Sequence, residues 1–208
     1  NLSANNNGAG AFIGNACSGN AGLEDITLLG ENSFNGNESF GLFIQSKGNL
    51  TLQNISAGGN GYFGAVLDNC IWNPNAQACG GVGDIVLSGD NTFNGNASGV
   101  LAGLNVLSAG TTTLNNITSI SNSGDGVYLE IGQSSLINFG CIKNNGGYGL
   151  QSFGGALTLN DVTFDGNSLG DVRILSGTLI SNPDVDICSQ VMGGGGKESL
   201  SLPIHYVE

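Results

Sequence analysis

Basic side chains are nearly missing from this 208-residue sequence: Lys47, Lys143, Arg173 and Lys197 stand alone against sixteen acidic residues, for a formal net charge of -12. Nucleic acid, acidic polysaccharide and anionic membrane surfaces all need a clustered basic footprint, so none is expected as a partner. One histidine, and no CxxC pair among five cysteines, leave a zinc site almost without ligands; neither a metal nor a cofactor is expected. No apolar run approaches the roughly 18 residues that span a bilayer, so membrane insertion is not expected, and no charged-then-apolar leader opens the chain at Asn1.

What is present points to strands and turns. Thirty-seven glycines and a heavy load of Asn, Ser and Thr disfavour helix, while 39% hydrophobic residues supply a core. Residues 25–37, DITLLGENSFNGN, return at residues 84–96 as DIVLSGDNTFNGN with nine of thirteen positions unchanged. An Asn followed by Gly recurs as Asn6/Gly10, Asn37/Gly41, Asn60/Gly64, Asn96/Gly99, Asn122/Gly126, Asn145/Gly149 and Asn167/Gly170. The glycines read as turn residues placed before short strands such as GLFI, GAVL and GVYL. Their intervals of 31, 23, 35, 27, 23 and 21 residues describe a unit of about 22 residues with insertions.

Each unit also carries an alternating segment: ITLLG, LTLQNI, IVLSG, TTLNNI, LTLNDV. Three short strands per unit cannot bury a core singly, but stacked coils can. The pattern therefore predicts an all-β, single-stranded parallel β-helix of about 7–8 coils with a tethered strand at its C-terminus. One inward column is Phe34, Ala57, Phe93, Ser119, Ile142 and Phe164, and a second is Ile55, Ile117, Cys141 and Val162. Asn37, Asn60, Asn96, Asn122, Asn145 and Asn167 are expected to form an axial ladder of amide hydrogen bonds, which explains them without a ligand.

On these repeats the chain resembles the right-handed parallel β-helix proteins, the pectin-lyase-like superfamily and repeat-containing adhesins of bacterial surfaces. The handedness is what the resemblance implies. Enzymes of that architecture carry paired Asp with a His and Arg-x-Lys, or a calcium-binding carboxylate cluster with a catalytic Arg. Neither set is present, so no enzyme is expected. Asp184 and Asp186 share a face in an extended segment, as exposed carboxylates commonly do. Asp25 and Asp84 repeat before a strand, but Asn49 breaks the column, which argues against calcium. The sequons at Asn1, Asn37, Asn54, Asn96 and Asn116 are about what this composition produces by chance.

The domain reading is a β-helix over 1–192 with Cys-containing loops near 14–24 and 68–83, a Gly-rich linker at 193–197 and a strand at 198–208. Cys70 and Cys79 bracket a short loop and are expected to pair in an oxidising, extracellular or cell-surface setting; Cys17, Cys141 and Cys188 have no assigned partners. In the tail, Leu200, Leu202, Ile204 and Tyr206 alternate, giving a strand that either caps its own last coil or adds to the next molecule. The functional expectation is a structural extracellular protein, a filament subunit or adhesin shaft, associating head to tail. The alternative is a glycan-binding or glycan-degrading β-helix using the 68–83 loop, with Trp72 and nearby Tyr62 as an aromatic platform.

Overall fold

The chain is an all-β parallel β-solenoid. This computed structural model describes residues 1–15, 24–70, 72–73, 78–182, 188 and 204–206, and for 72–73, 78–79 and 204–206 it describes the backbone alone. Leu200, Leu202, Cys17 and the Gly-rich linker lie outside the described residues. So do the side chains of Ile204, Tyr206, Trp72 and Cys79.

Three parallel sheets run along the axis. Sheet A stacks Ala11–Gly14, Leu42–Gln45, Ala65–Asp68, Leu104–Ser108, the first stretches of Val127–Lys143 and Tyr148–Asp165, then Gly170–Ile174 and Ile204–Tyr206. Sheet B stacks Ile26–Leu28, Leu50–Gln53, Ile85–Ser88, the start of Thr112–Ile120, the middle stretches of the two long strands, and Thr178–Asn182. Sheet C begins with Leu2–Ser3 and continues through Asn32–Ser33, Ile55–Ser56, Asn91–Thr92 and the closing stretches of the three long strands. Six coils are complete, fewer than the sequence suggests. Each ladder Asn occupies the corner between sheet C and the next sheet A, and seven corners enclose only six full turns.

The sharp corner between sheets B and C is made by one left-handed residue: Asn54 (φ 47°), Asn116 (φ 48°), Phe139 (φ 61°) or Asp161 (φ 52°). Asn and Asp tolerate that conformation. Phe139, which pays the usual steric penalty, projects its ring outward with 47% exposure. Elsewhere the corner takes two residues, the first a positive-φ glycine, Gly30 or Gly89. There the preceding coil's Asn completes it: the Asp90 N–H donates to Asn54 Oδ1 at 2.9 Å.

The core is the stack of inward columns. Phe34, Ala57, Phe93, Ser119, Ile142 and Phe164 are all buried, as expected. From Phe34 to Ile142 large and small residues alternate along this column, which lets successive layers spaced about 4.8 Å apart fill the interior without clash; Phe164 follows Ile142 directly. The hydroxyl of Ser119 donates to the Gly126 carbonyl at 2.8 Å, so its polarity is satisfied.

The second column needs correction. Gly140, not Cys141, is in register with Ile117 and Val162, because the left-handed Phe139 shifts the phase; Cys141 aligns with outward Thr118 and Thr163. Cys141 is nonetheless 1% exposed, since it forms a disulfide with Cys188 that covers the outer face of sheet C. Both loop insertions leave the corner between sheets A and B two coils apart. In the second, Trp72–Asn73 pairs antiparallel with Ala78–Cys79. Cys70 is disulfide-bonded.

Candidate functional site

The ladder runs unbroken through the corner column. In each coil both the backbone N–H and the Nδ2 of one Asn donate to the Oδ1 of the next: Asn37 to Asn60 at 3.0 and 3.0 Å, Asn60 to Asn96 at 3.1 and 3.0 Å, Asn96 to Asn122 at 2.9 and 3.0 Å. Asn122 to Asn145, and Asn145 to Asn167, continue it. At the N-terminal end the member is Asn7, whose N–H donates to Asn37 Oδ1, and not Asn6. Asn6 is a left-handed turn residue.

This ladder also explains the glycines. Gly41, Gly64, Gly103, Gly126 and Gly149 have no left-handed φ. A Cβ on Gly41 would sit 2.6 Å from the Gly64 carbonyl oxygen and 2.7 Å from Asn60 Nδ2, and one on Gly149 would sit 2.6 Å from Asn167 Nδ2, so the column is glycine because backbone carbonyls and the ladder amides both pack against it. The glycine partner of Asn96 is therefore Gly103, in register with Gly64 and Gly126, rather than Gly99. Residues 99–101 are a three-residue insertion that the Asn–Gly spacing hid.

A second ladder was not evident in the sequence. Asn115, Asn138, Asn160 and Asn182 line the outer edge of sheet B, each Nδ2 donating to the preceding Oδ1 at 2.9–3.0 Å. Its signal was the repeated Asn at the end of TTLNN and LTLND, obscured by the neighbouring left-handed residue. The Asp25–Asn49–Asp84 column is likewise a hydrogen-bond ladder. Asn49 donates to Asp25 Oδ1 and accepts from the Asp84 N–H, and an amide between the carboxylates avoids like-charge stacking. Two sequons, Asn37 and Asn96, are ladder members 2% exposed, and a glycan there is incompatible with the ladder.

A concave surface with varied side-chain chemistry lies on the outer face of sheet A. Phe12 and Phe43 stack on adjacent coils at 5.3 Å between centroids, Phe40 stacks on Phe63 at 5.4 Å, and Tyr62 packs on Phe63 at 5.4 Å. Beyond this cluster opens a groove of about 460 Å³. Its floor is the outward column Val66, Asn105, Tyr128 and Gln151; Phe43 and Phe63 close one end. The insertion's Val100 and Leu101, with the adjoining Ala102, form a wall, and Asp68 and Asp125 bring carboxylates to it.

Asp125 Oδ1 accepts the Tyr148 N–H at 2.7 Å. Burial raises its pKa above the ordinary carboxylate value, a rise that the Tyr148 N–H and the Arg173 charge partly offset. Burial, with help from Glu130 and Asp125, also raises the Tyr128 phenol. Arg173 lies over the Tyr148 ring at 5.2 Å and donates to Gln151 at 3.4 Å. The groove thus joins apolar walls to amides, a phenol and carboxylates, a composition suited to holding a polar ligand with apolar faces. Tyr62 belongs to this cluster and is 43% exposed. Among the described residues, no group of His, Cys, Asp or Glu has metal-site geometry.

Comparison with protein-family models, with curated proteins and with solved structures finds no match for this chain.

Two consequences can be measured. Asn96→Ala removes an Oδ1 that serves two buried donors of Asn60. It should cost about 2–4 kcal/mol in chemical denaturation, whereas Asn138→Ala on the half-exposed ladder should cost under about 1 kcal/mol; equal costs would show that burial does not set the ladder's worth. For Asp125, a raised folded-state pKa means that the folded protein holds the proton more tightly. Its burden on stability is absent below the unfolded value of 3.8 and grows as pH rises through the folded value. Asp125→Asn, which keeps the acceptor, should raise Tm at pH 7 and leave it unchanged at pH 3.

Proposed function

We propose that this protein is a structural extracellular module, a stiff shaft or filament segment at a cell surface. The observation that supports this most is the continuity of the axial columns. The Asn ladder, the inward core columns and the three sheets persist across all six complete coils. Six layers give a rod body on the order of 30 Å long with hydrogen bonds parallel to the axis. The Cys141–Cys188 disulfide is consistent with an oxidising compartment.

Immunogold labelling of intact cells of the source organism tests this reading. Gold on the outer surface or on appendages is expected; label found only after permeabilisation would contradict it.

A second reading, glycan binding, is favoured by the exposed aromatic cluster beside the sheet A groove. Here the ligand would meet Phe63, Tyr128 and Gln151, and the expected contacts shift from the 68–83 loop toward the sheet. The nearby carboxylates Asp68 and Asp125 favour neutral over uronic sugars. On a glycan array, Tyr128→Ala should abolish any binding while leaving the circular dichroism spectrum intact. Binding retained in Tyr128→Ala and lost in Trp72→Ala would return the site to the loop.

A further inference from the structure

The polar groups of the sheet A groove divide into two sets. One set builds its walls. Asn105, 3% exposed, closes a two-way clip on the backbone of Ala102: its Oδ1 accepts the Ala102 N–H at 3.2 Å and its Nδ2 donates to the Ala102 carbonyl at 2.9 Å. The Ser98 hydroxyl accepts the Leu101 N–H at 2.9 Å, so the wall is held at both ends. Asp68 is engaged as well, accepting from Gln45 Nε2 at 3.1 Å and from the Cys70 N–H at 3.0 Å.

The other set is open. Asp125 uses Oδ1 on the Tyr148 N–H, and Gln151 uses its side-chain oxygen on Arg173. Among the described residues, Asp125 Oδ2, the Tyr128 hydroxyl and Gln151 Nε2 have no hydrogen-bond partner. These three stand together. Tyr128 and Gln151 are register partners on adjacent coils, and Asp125 is close enough for its charge to act on the Tyr128 phenol. An anion, a hydroxyl and an amide donor therefore face one opening, with Val66 and Leu101 as apolar surface beside them.

Local charge selects what can fill it. Asp68 and Asp125 line the groove, Glu130 acts on the same phenol, and among the described residues no basic side chain lines it. Arg173 is engaged with the Tyr148 ring and Gln151, and only partly offsets the burial of Asp125. An acidic ligand would be repelled here, and a neutral sugar would bring a hydroxyl donor but no counter-charge for the half-buried Asp125. An ammonium set beside hydroxyls brings both.

We propose that the sheet A groove binds amino sugars, oligosaccharides of hexosamine whose amine is free and protonated. The ammonium donates to Asp125 Oδ2, neighbouring ring hydroxyls meet Tyr128 and Gln151 Nε2, and apolar ring faces lie against Val66 and Leu101. The floor from Val66 to Gln151 crosses four successive coils, about 14 Å, which is room for a short linear oligomer. The inference rests on the glycan reading of this groove and deepens it by naming the sugar class and the residue that selects it.

Isothermal titration calorimetry on the full chain tests it, with a linear glucosamine tetramer and its fully N-acetylated counterpart as probes. The glucosamine tetramer should bind roughly tenfold or more tightly than the acetylated one, the worth of one hydrogen bond between charged groups. Asp125→Asn keeps an acceptor for the Tyr148 N–H and changes the formal net charge of -12 by one unit, yet should erase that preference. Tyr128→Phe should weaken both tetramers about equally. Equal binding of the two tetramers would overturn the amino-sugar assignment and leave the glycan reading standing. A preference that survives Asp125→Asn would be general attraction to an acidic surface, and would overturn it too. Binding of neither tetramer would also overturn it, and the glycan array decides separately whether the groove takes another sugar.

Discussion

A buried amide column sets the terms for everything else in this molecule. An Asn side chain placed away from water must satisfy its oxygen and its nitrogen, and here each does so against the coils above and below. Because the partner is always one layer away, the column holds only if every coil returns to the same corner at the same height. That requirement fixes the spacing of the coils and removes the Cβ from the neighbouring glycine column. It also tolerates insertions only where they leave the corner undisturbed. The insertions after Gly14 and Asp68 and the one at 99–101 all obey it, since the corner column continues in register on either side of them.

The outward surfaces are correspondingly free to vary. Sheet B spends its outer edge on a second, wetter ladder, which adds less because water competes for it. Sheet A carries the stacked phenylalanines and the groove, whose wall is the insertion beside the ladder. Stacking along the axis uses up most ring faces on neighbouring rings, so the aromatic column stiffens the rod as much as it offers a platform. The groove's polar floor, not the stack itself, is where a ligand gains specificity.

Repetition made the fold legible. The alternating segments, the corner Asn residues and the inward Phe34 to Phe164 column were all readable because each recurs at a fixed place in the coil. What escaped was whatever depends on phase. A left-handed Phe139 moves Cys141 from the inside to the outside, and nothing in the composition of LINFGCI announces it. Gly99 stood in for Gly103 because three extra residues still left a glycine near the expected spacing. The Cys141–Cys188 disulfide could not be foreseen, since its partners are 47 residues apart and meet only once the tail returns to sheet C. The groove was invisible for the same reason: its floor residues lie in different coils and become neighbours only through stacking.

The account stands on the corner ladder being the most protected part of the chain, and hydrogen exchange by NMR measures that directly. The backbone amide protons of Asn60, Asn96, Asn122 and Asn145 should exchange only with global unfolding, and that of Asn167, which has no acceptor among the described residues, should exchange orders of magnitude faster. Ladder protons that exchange as fast as those of the exposed corners between sheets B and C would contradict the claim that this column holds the solenoid together.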